Sequence, residues 1–199
     1  MRLLLVRHAQ TIENAEERFQ GHIHGRLSRL GIRQTRLLAD ALKKETIDYF
    51  FGSPLGRARE TLEAVRINHP KIRAVFDDAL MERGKGVWEE WLIADAVLKD
   101  PNVMKKMKKR DYRPENGESL NDVSGRVKPF LTRLEKIGNN KTALVVGHGI
   151  LNSELLRLIL GTKSRFVQYN ACINEVWLRK DGARVVRLND VRHLGKWVS

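Results

Sequence analysis

The chain has 199 residues, enough to bury one substantial core, and no Gly/Ser/Pro-rich linker divides it, so a single domain spanning 1-199 is expected. Its one cysteine, Cys172, rules out an intrachain disulfide, and no Cys/His set has the spacing of a structural zinc site. A net charge of +13 favours anionic partners without choosing among small phosphorylated molecules, nucleic acid and an acidic membrane surface.

The apolar run from Leu3 to Val6 stops on Arg7 and His8. Four large apolar residues bounded by polar ones suit a strand covered on both faces, as in the parallel sheet of an α/β protein. Ligands of such sheets bind beyond the carboxyl ends of the strands, where Arg7 and His8 stand and where Thr11 or Asn14 can continue the pocket. The same two residues end the run too early for a signal-peptide core, and no later segment reaches membrane-spanning length. A cytoplasmic protein without membrane contact is expected.

Arg18 to Gly25 reads as a loop, after which Ser28 is placed to cap a helix whose inward face is Leu30, Leu37, Leu38, Ala41 and Leu42, with Lys43 and Lys44 at its carboxyl end. His22 and His24 lack a third ligand nearby, so no metal is assigned to them. A second short strand, Asp48 to Phe51, leads into Ser53-Pro54, which suits an N-cap followed by the first helical residue. Arg57 then falls in the first turn, beside free backbone N–H groups that favour an anion. A surface arginine on an amphipathic helix is the alternative, the inward face being Ala58, Leu62 and Val65.

Ile72 to Phe76 suits a third strand, followed by a glycine-containing connection that carries Glu82. Read alone, Glu82 is a solvated surface acid. Gly84-Lys85-Gly86 is too short for a nucleotide phosphate loop and reads as a turn. Residues 88-115 form a lid-like excursion from the sheet, containing the run Lys105 to Arg110, in which five of six residues are basic. That run is either a solvated helix face or a cationic lid that attracts multiply charged substrates.

Ser119 and Asp122 form a capping box for a helix with the stripe Leu120, Val123, Val127, Leu131 and Leu134, bent near Pro129. Thr142 to Gly147 repeats the opening pattern: an apolar strand ends on His148, and a helix from Ile150 to Leu160 follows, stopped by Gly161. Ile173 to Leu178 and Arg184 to Leu188, joined through Asp181-Gly182, read as a hairpin that adds antiparallel strands.

The strand-end groups Arg7, His8, Arg57, Glu82 and His148 comprise two guanidiniums, two imidazoles and one carboxylate. Guanidiniums match phosphate oxygens and stay charged, a neutral imidazole nitrogen is a nucleophile, and neighbouring guanidiniums disfavour imidazolium. The set suits phosphoryl transfer through histidine.

In order along the chain, Arg7-His8-Ala9-Gln10-Thr11, Ser53-Pro54-Leu55-Gly56-Arg57-Ala58, Glu82, Gly117-Glu118-Ser119 and Gly147-His148-Gly149 resemble the histidine phosphatase superfamily, in its phosphoglycerate mutase-like branch. The resemblance implies a three-layer α/β sandwich with a mixed, mainly parallel sheet flanked by helices. It implies that His8 becomes phosphohistidine, that Arg7, Arg57 and His148 hold the phosphoryl oxygens, and that Glu82 donates a proton. Asn14 matches a further phosphate contact, Gln20 and Gly21 match the substrate-side loop, and Gly149 follows the second histidine. Three departures, Ala9, Ile150 and Glu90 where glycine is usual, are expected to add side chains near the pocket entrance.

The function expected is a metal-independent phosphomonoesterase acting on small phosphorylated metabolites, with no cofactor, as a monomer or homodimer. A mutase is the first alternative, although mutases of the superfamily usually carry longer insertions and tails. A polyanion-binding module with a vestigial pocket is the second. Nucleic acid is not the expected partner, because zinc-finger spacing, an aromatic RNA-binding signature and a long basic helix with a zipper are all lacking.

Overall fold

Leu3, Leu4, Leu5 and Val6 are fully buried because alternate residues of their strand feed two different cores. Leu4 and Val6 join one apolar cluster, while Leu3 and Leu5 join the other. In the computed structural model, which describes residues 1–199, that strand is β1 (Arg2–Arg7). The others are β2 (Tyr49–Gly52), β3 (Ala74–Phe76), β4 (Thr142–Gly147), β5 (Ile173–Arg179) and β6 (Gly182–Asp190). They form one six-stranded sheet in the order β3-β2-β4-β1-β5-β6. β1, β2, β3 and β4 run parallel, whereas β5 is antiparallel to both β1 and β6.

Seven helices accompany the sheet: α1 (Ile12–Ala15), α2 (Arg29–Leu42), α3 (Gly56–Arg66), α4 (Ile93–Lys99), α5 (Val103–Met107), α6 (Leu120–Glu135) and α7 (Gly149–Ile159). α2 and α3 cover one face through Leu38, Leu42, Ala58, Leu62 and Val65. α6 and α7 cover the other through Val123, Val127, Phe130, Leu134, Leu151 and Leu155. The three-layer α/β sandwich with a mixed, mainly parallel sheet is therefore the observed architecture. A third, smaller cluster of Phe19, Trp88, Ala96, Val103 and Met107 lies under the excursion that carries α4 and α5.

Several local expectations are corrected. Ala41 is exposed, because the inward face of α2 is centred on Gly31, Gln34, Thr35, Leu38 and Leu42, with Gln34 buried as a bonding group rather than an apolar one. In α6, Phe130 rather than Leu131 fills the core position, and the helix runs unbroken through the exposed Pro129. β3 is only three residues long. α3 starts at Gly56 after Leu55, so Ser53 and Pro54 stand before the helix, with Ser53 Oγ accepting from the Leu55 N–H at 3.3 Å.

Candidate active site

Because β1 and β4 are neighbouring parallel strands with Arg7 opposite Gly147, the residues that follow them meet at the carboxyl edge of the sheet. The His8 and His148 rings lie 5.1 Å apart, centroid to centroid, and both residues are buried. β2, on the other side of β4, delivers α3 and hence Arg57 to the same edge. Glu82 arrives from the connection after β3 and rests on the amino end of α7, where its carboxylate accepts from Ile150 N (3.1 Å), Leu151 N (3.2 Å) and Arg83 N (2.8 Å).

The tautomer of His8 follows from its neighbours. Its Nδ1 lies 2.8 Å from the Ala9 carbonyl oxygen, which can only accept, so Nδ1 carries the proton and Nε2 keeps its lone pair. Burial first, then the charges of Arg57 and Arg7, push His8 well below the usual histidine range. The imidazole is neutral at physiological pH and keeps its Nε2 lone pair. Thr61 fixes this arrangement: its hydroxyl accepts the Ala9 N–H at 3.1 Å and donates to the Arg57 carbonyl at 2.7 Å.

Near His8, among the groups whose charges act on it, are buried polar atoms with no partner in the protein. They are Arg7 Nε, Arg57 Nε and both ring nitrogens of His148. Other donors of these arginines act as tethers: Arg7 Nη1 donates to the Gln168 carbonyl at 2.6 Å, and Arg57 Nη2 to the Gly21 carbonyl at 2.9 Å. Burial lowers Arg57 to about 10, which leaves it cationic near neutrality. His148 is held neutral by burial and then by Arg57, His8 and Arg7. Unpaired buried donors are costly, and a group of them beside an imidazole lone pair is suited to a tetrahedral anion.

Gly149 lines the same cleft as Arg7 and Glu82, and a Cβ there would stand 3.6 Å from Arg7 Nε and 3.9 Å from Glu82 Oε2. Gly21 has φ +55°, and a Cβ on it would overlap the Glu89 carboxylate, so this position requires glycine. Gln20 is buried, with Oε1 unpartnered next to Gly25. Asn14 is partly committed, its Oδ1 accepting from Thr11 N and from Asn170 Nδ2, both at 3.2 Å.

Three expectations fail here. The N–H groups at the start of α3 are not free, since Gly56 N donates to His24 Nδ1 and Arg57 N to the His24 carbonyl, both at 3.2 Å. The chain turns after β1 so that Ala9 packs fully buried in the α2/α3 layer, away from the pocket entrance. Glu82 is half-buried and bonded rather than a solvated acid. Of the other departures from glycine, Ile150 lines the cleft, whereas Glu90 sits exposed with φ +68°, a conformation that costs a non-glycine residue about 1–2 kcal/mol.

Sequence reading missed the residues that hold the site together. His22 Nε2 and Arg126 Nη2 both donate to the Glu82 carbonyl, at 2.8 and 2.9 Å. Glu118 bridges these two side chains, and although burial alone would raise its carboxyl, His22, Arg126 and the Gly84 N–H outweigh it and hold the group well below the ordinary carboxylate range. Lys85, read as part of a turn, is buried, and desolvation lowers it to about 8. No group of three or more His, Cys, Asp and Glu side chains is arranged to hold a metal ion. No helix is long and apolar enough to cross a membrane.

The profile of the histidine phosphatase superfamily, branch 1, matches residues 3–191. The chain is 31% identical to phosphoserine phosphatase 1 of Hydrogenobacter thermophilus, covering 99% of this chain and 96% of that protein. It is 30% identical to a probable phosphoglycerate mutase of Shigella dysenteriae, covering 98% and 95%. Among solved structures it superposes on the α-ribazole phosphatase of Shigella flexneri with a TM-score of 0.87 at 26% identity, covering 96% of each chain.

Proposed function

The chain belongs to the histidine phosphatase superfamily and is an enzyme of its phosphatase kind, and on that premise we propose that it hydrolyses small phosphorylated metabolites through a phosphohistidine on His8. The observation that carries this reading is a His8 Nε2 lone pair buried in the same cluster as unpartnered nitrogens of Arg7, Arg57 and His148. His8 Nε2 attacks phosphorus, the bond to the ester oxygen breaks, and Glu82 gives that oxygen its proton. The phosphoimidazolium that forms shares its Nδ1 proton with the Ala9 carbonyl. Glu82, now a carboxylate, takes a proton from water as water attacks phosphorus, and His8 departs neutral with Glu82 reprotonated. Arg7, Arg57 and His148 supply the positive field for the transferred oxygens in both steps.

Residues 1–199 act in this reading as one unit, with the excursion as a lid over the leaving-group side. A cytoplasmic location accords with the reading. The relatives that support hydrolysis are the phosphoserine and α-ribazole phosphatases, and the relative that supports isomerisation is the probable mutase. A panel of phosphate monoesters, followed at once for released phosphate and for isomerised ester, separates the two. Phosphate release that matches substrate loss is expected; isomerised product in excess of free phosphate would make the protein a mutase.

A further inference from the structure

A cleft of about 350 Å³ opens outward from Arg7, Glu82 and Gly149. In the proposed hydrolysis Glu82 touches the leaving oxygen, so whatever that oxygen is attached to must enter this cleft. Its volume falls at the lower end of the range of about 300–1,000 Å³ that encloses drug-sized ligands, and exceeds what a three-carbon alcohol such as serine fills.

Five of the twelve residues that line the cleft are apolar. Met107 comes from the end of α5 in the excursion and Leu120 from the start of α6, and Ile150 faces them from α7. Phe166 and Val167 close the far side, and Val167 is 73% exposed at the mouth, an apolar surface that a bound molecule would cover. Each apolar area so covered contributes roughly 25 cal/mol per Å².

The polar groups of the cleft have different degrees of freedom. Glu154 is saturated by Arg110, Arg157 and the Ser124 hydroxyl, so it presents no free negative charge. Ser153 Oγ accepts from the Phe166 N–H at 3.0 Å. Arg165, exposed at the rim, donates to the Lys108 carbonyl just beyond α5 and is in none of the ion pairs of the chain. The exposed rim of the cleft, beyond its apolar residues, therefore carries a guanidinium that belongs to no ion pair.

We propose that the physiological substrate is a phosphate monoester whose alcohol has an apolar body longer than three carbons and ends in an anionic group, a carboxylate or a second phosphate, that pairs with Arg165. This rests on the phosphomonoesterase reading with Glu82 at the leaving oxygen. Apolar burial selects the body, and a forked guanidinium selects the anion.

The test is kcat/KM for a series of alkyl phosphates of increasing length, each with a terminal carboxylate, a terminal phosphate or a neutral methyl ester, with phosphoserine as the short reference. The wild-type enzyme should prefer the long anionic esters to phosphoserine and to their neutral counterparts by about tenfold or more. Arg165→Gln should erase most of the anionic advantage, chiefly through KM, and Arg165→Lys should restore part of it. Whichever terminal anion loses more in Arg165→Gln identifies the group that Arg165 reads. If neutral and anionic tails are hydrolysed equally, or phosphoserine matches the long esters, the subsite assignment is overturned while the phosphatase reading stands. If no ester releases phosphate, both fall together.

Discussion

Glu82 should matter in proportion to how badly the leaving group needs a proton. An alkoxide gains about 10²- to 10⁴-fold from a positioned acid, whereas a nitrophenolate departs without one. Glu82→Gln keeps the shape but not the acidity, and it turns an amide toward the N–H groups of Ile150, Leu151 or Arg83. Single-turnover hydrolysis of an alkyl phosphate should therefore fall by about that factor, while an aryl phosphate loses far less. Equal losses for both esters would place the acid elsewhere. At this scale the sequence was readable where an apolar run ended on an imidazole that the fold brings to the sheet edge, as at His8 and His148. It was not readable at Arg83, Lys85 or Arg126, because a cation in a loop or on a helix face carries no local sign that other segments will bury it, as with Arg83 and Lys85, or bond it, as with Arg126. Thr61 is legible only once α3 is known to bring it, one turn after Arg57, under the Ala9 N–H.

The excursion shows the same division between what composition reveals and what tertiary contact decides. Its existence could be read from the mixed pattern and Pro101, and so could the capping box of α6, because both signals are local. Its attachment could not. Arg83 is fully buried and donates to the carbonyls of Glu118 (2.7 Å), Met107 (2.8 Å) and Tyr112 (2.8 Å), tying the base of the excursion to the loop that carries Glu82. Arg83→Met leaves these carbonyls unsatisfied, at about 1–3 kcal/mol for each one that stays buried. Limited proteolysis should then cut within 88–115 faster than in the wild type, with the sheet still protected. Unchanged cleavage there would mean that Arg83 does not anchor the segment. The basic run is also smaller as a field than its sequence suggests: Lys106 pairs with Asp100 and Arg110 with Glu154, leaving Lys105, Lys108 and Lys109 exposed.

For the whole molecule, the order of motifs along the chain was enough to read an α/β sandwich, since strands ending in function alternate with amphipathic helices. The adjacency of β1 and β4, which makes two histidines into one site, is a property of the sheet order. That site has a cost visible in stability. His8 and His148 have folded pKa values well below 6.5, so below about pH 6.5 the unfolded chain binds protons that the native site refuses. Stability should fall as pH drops, by about 1.4 kcal/mol per pH unit for each histidine once its unfolded form is fully protonated. His193, also lowered by burial, acts in the same direction. His22 is raised by Glu118 and acts oppositely, its stabilisation being complete below 6.5 and lost as pH rises through its folded value. Denaturant unfolding between about pH 6.5 and pH 5 should show this slope. The double variant His8→Gln/His148→Gln should lose most of it, and an unchanged slope would mean that these imidazoles are not held neutral.

The most direct measurement is a rapid quench of the enzyme during turnover of a good phosphate monoester, with the site of covalent phosphate identified by peptide mass spectrometry. Phosphate on His8 Nε2, labile in acid and stable in alkali, and absent from His8→Ala together with turnover, is the expected result. Phosphate on another side chain, or steady hydrolysis by His8→Ala, would contradict it.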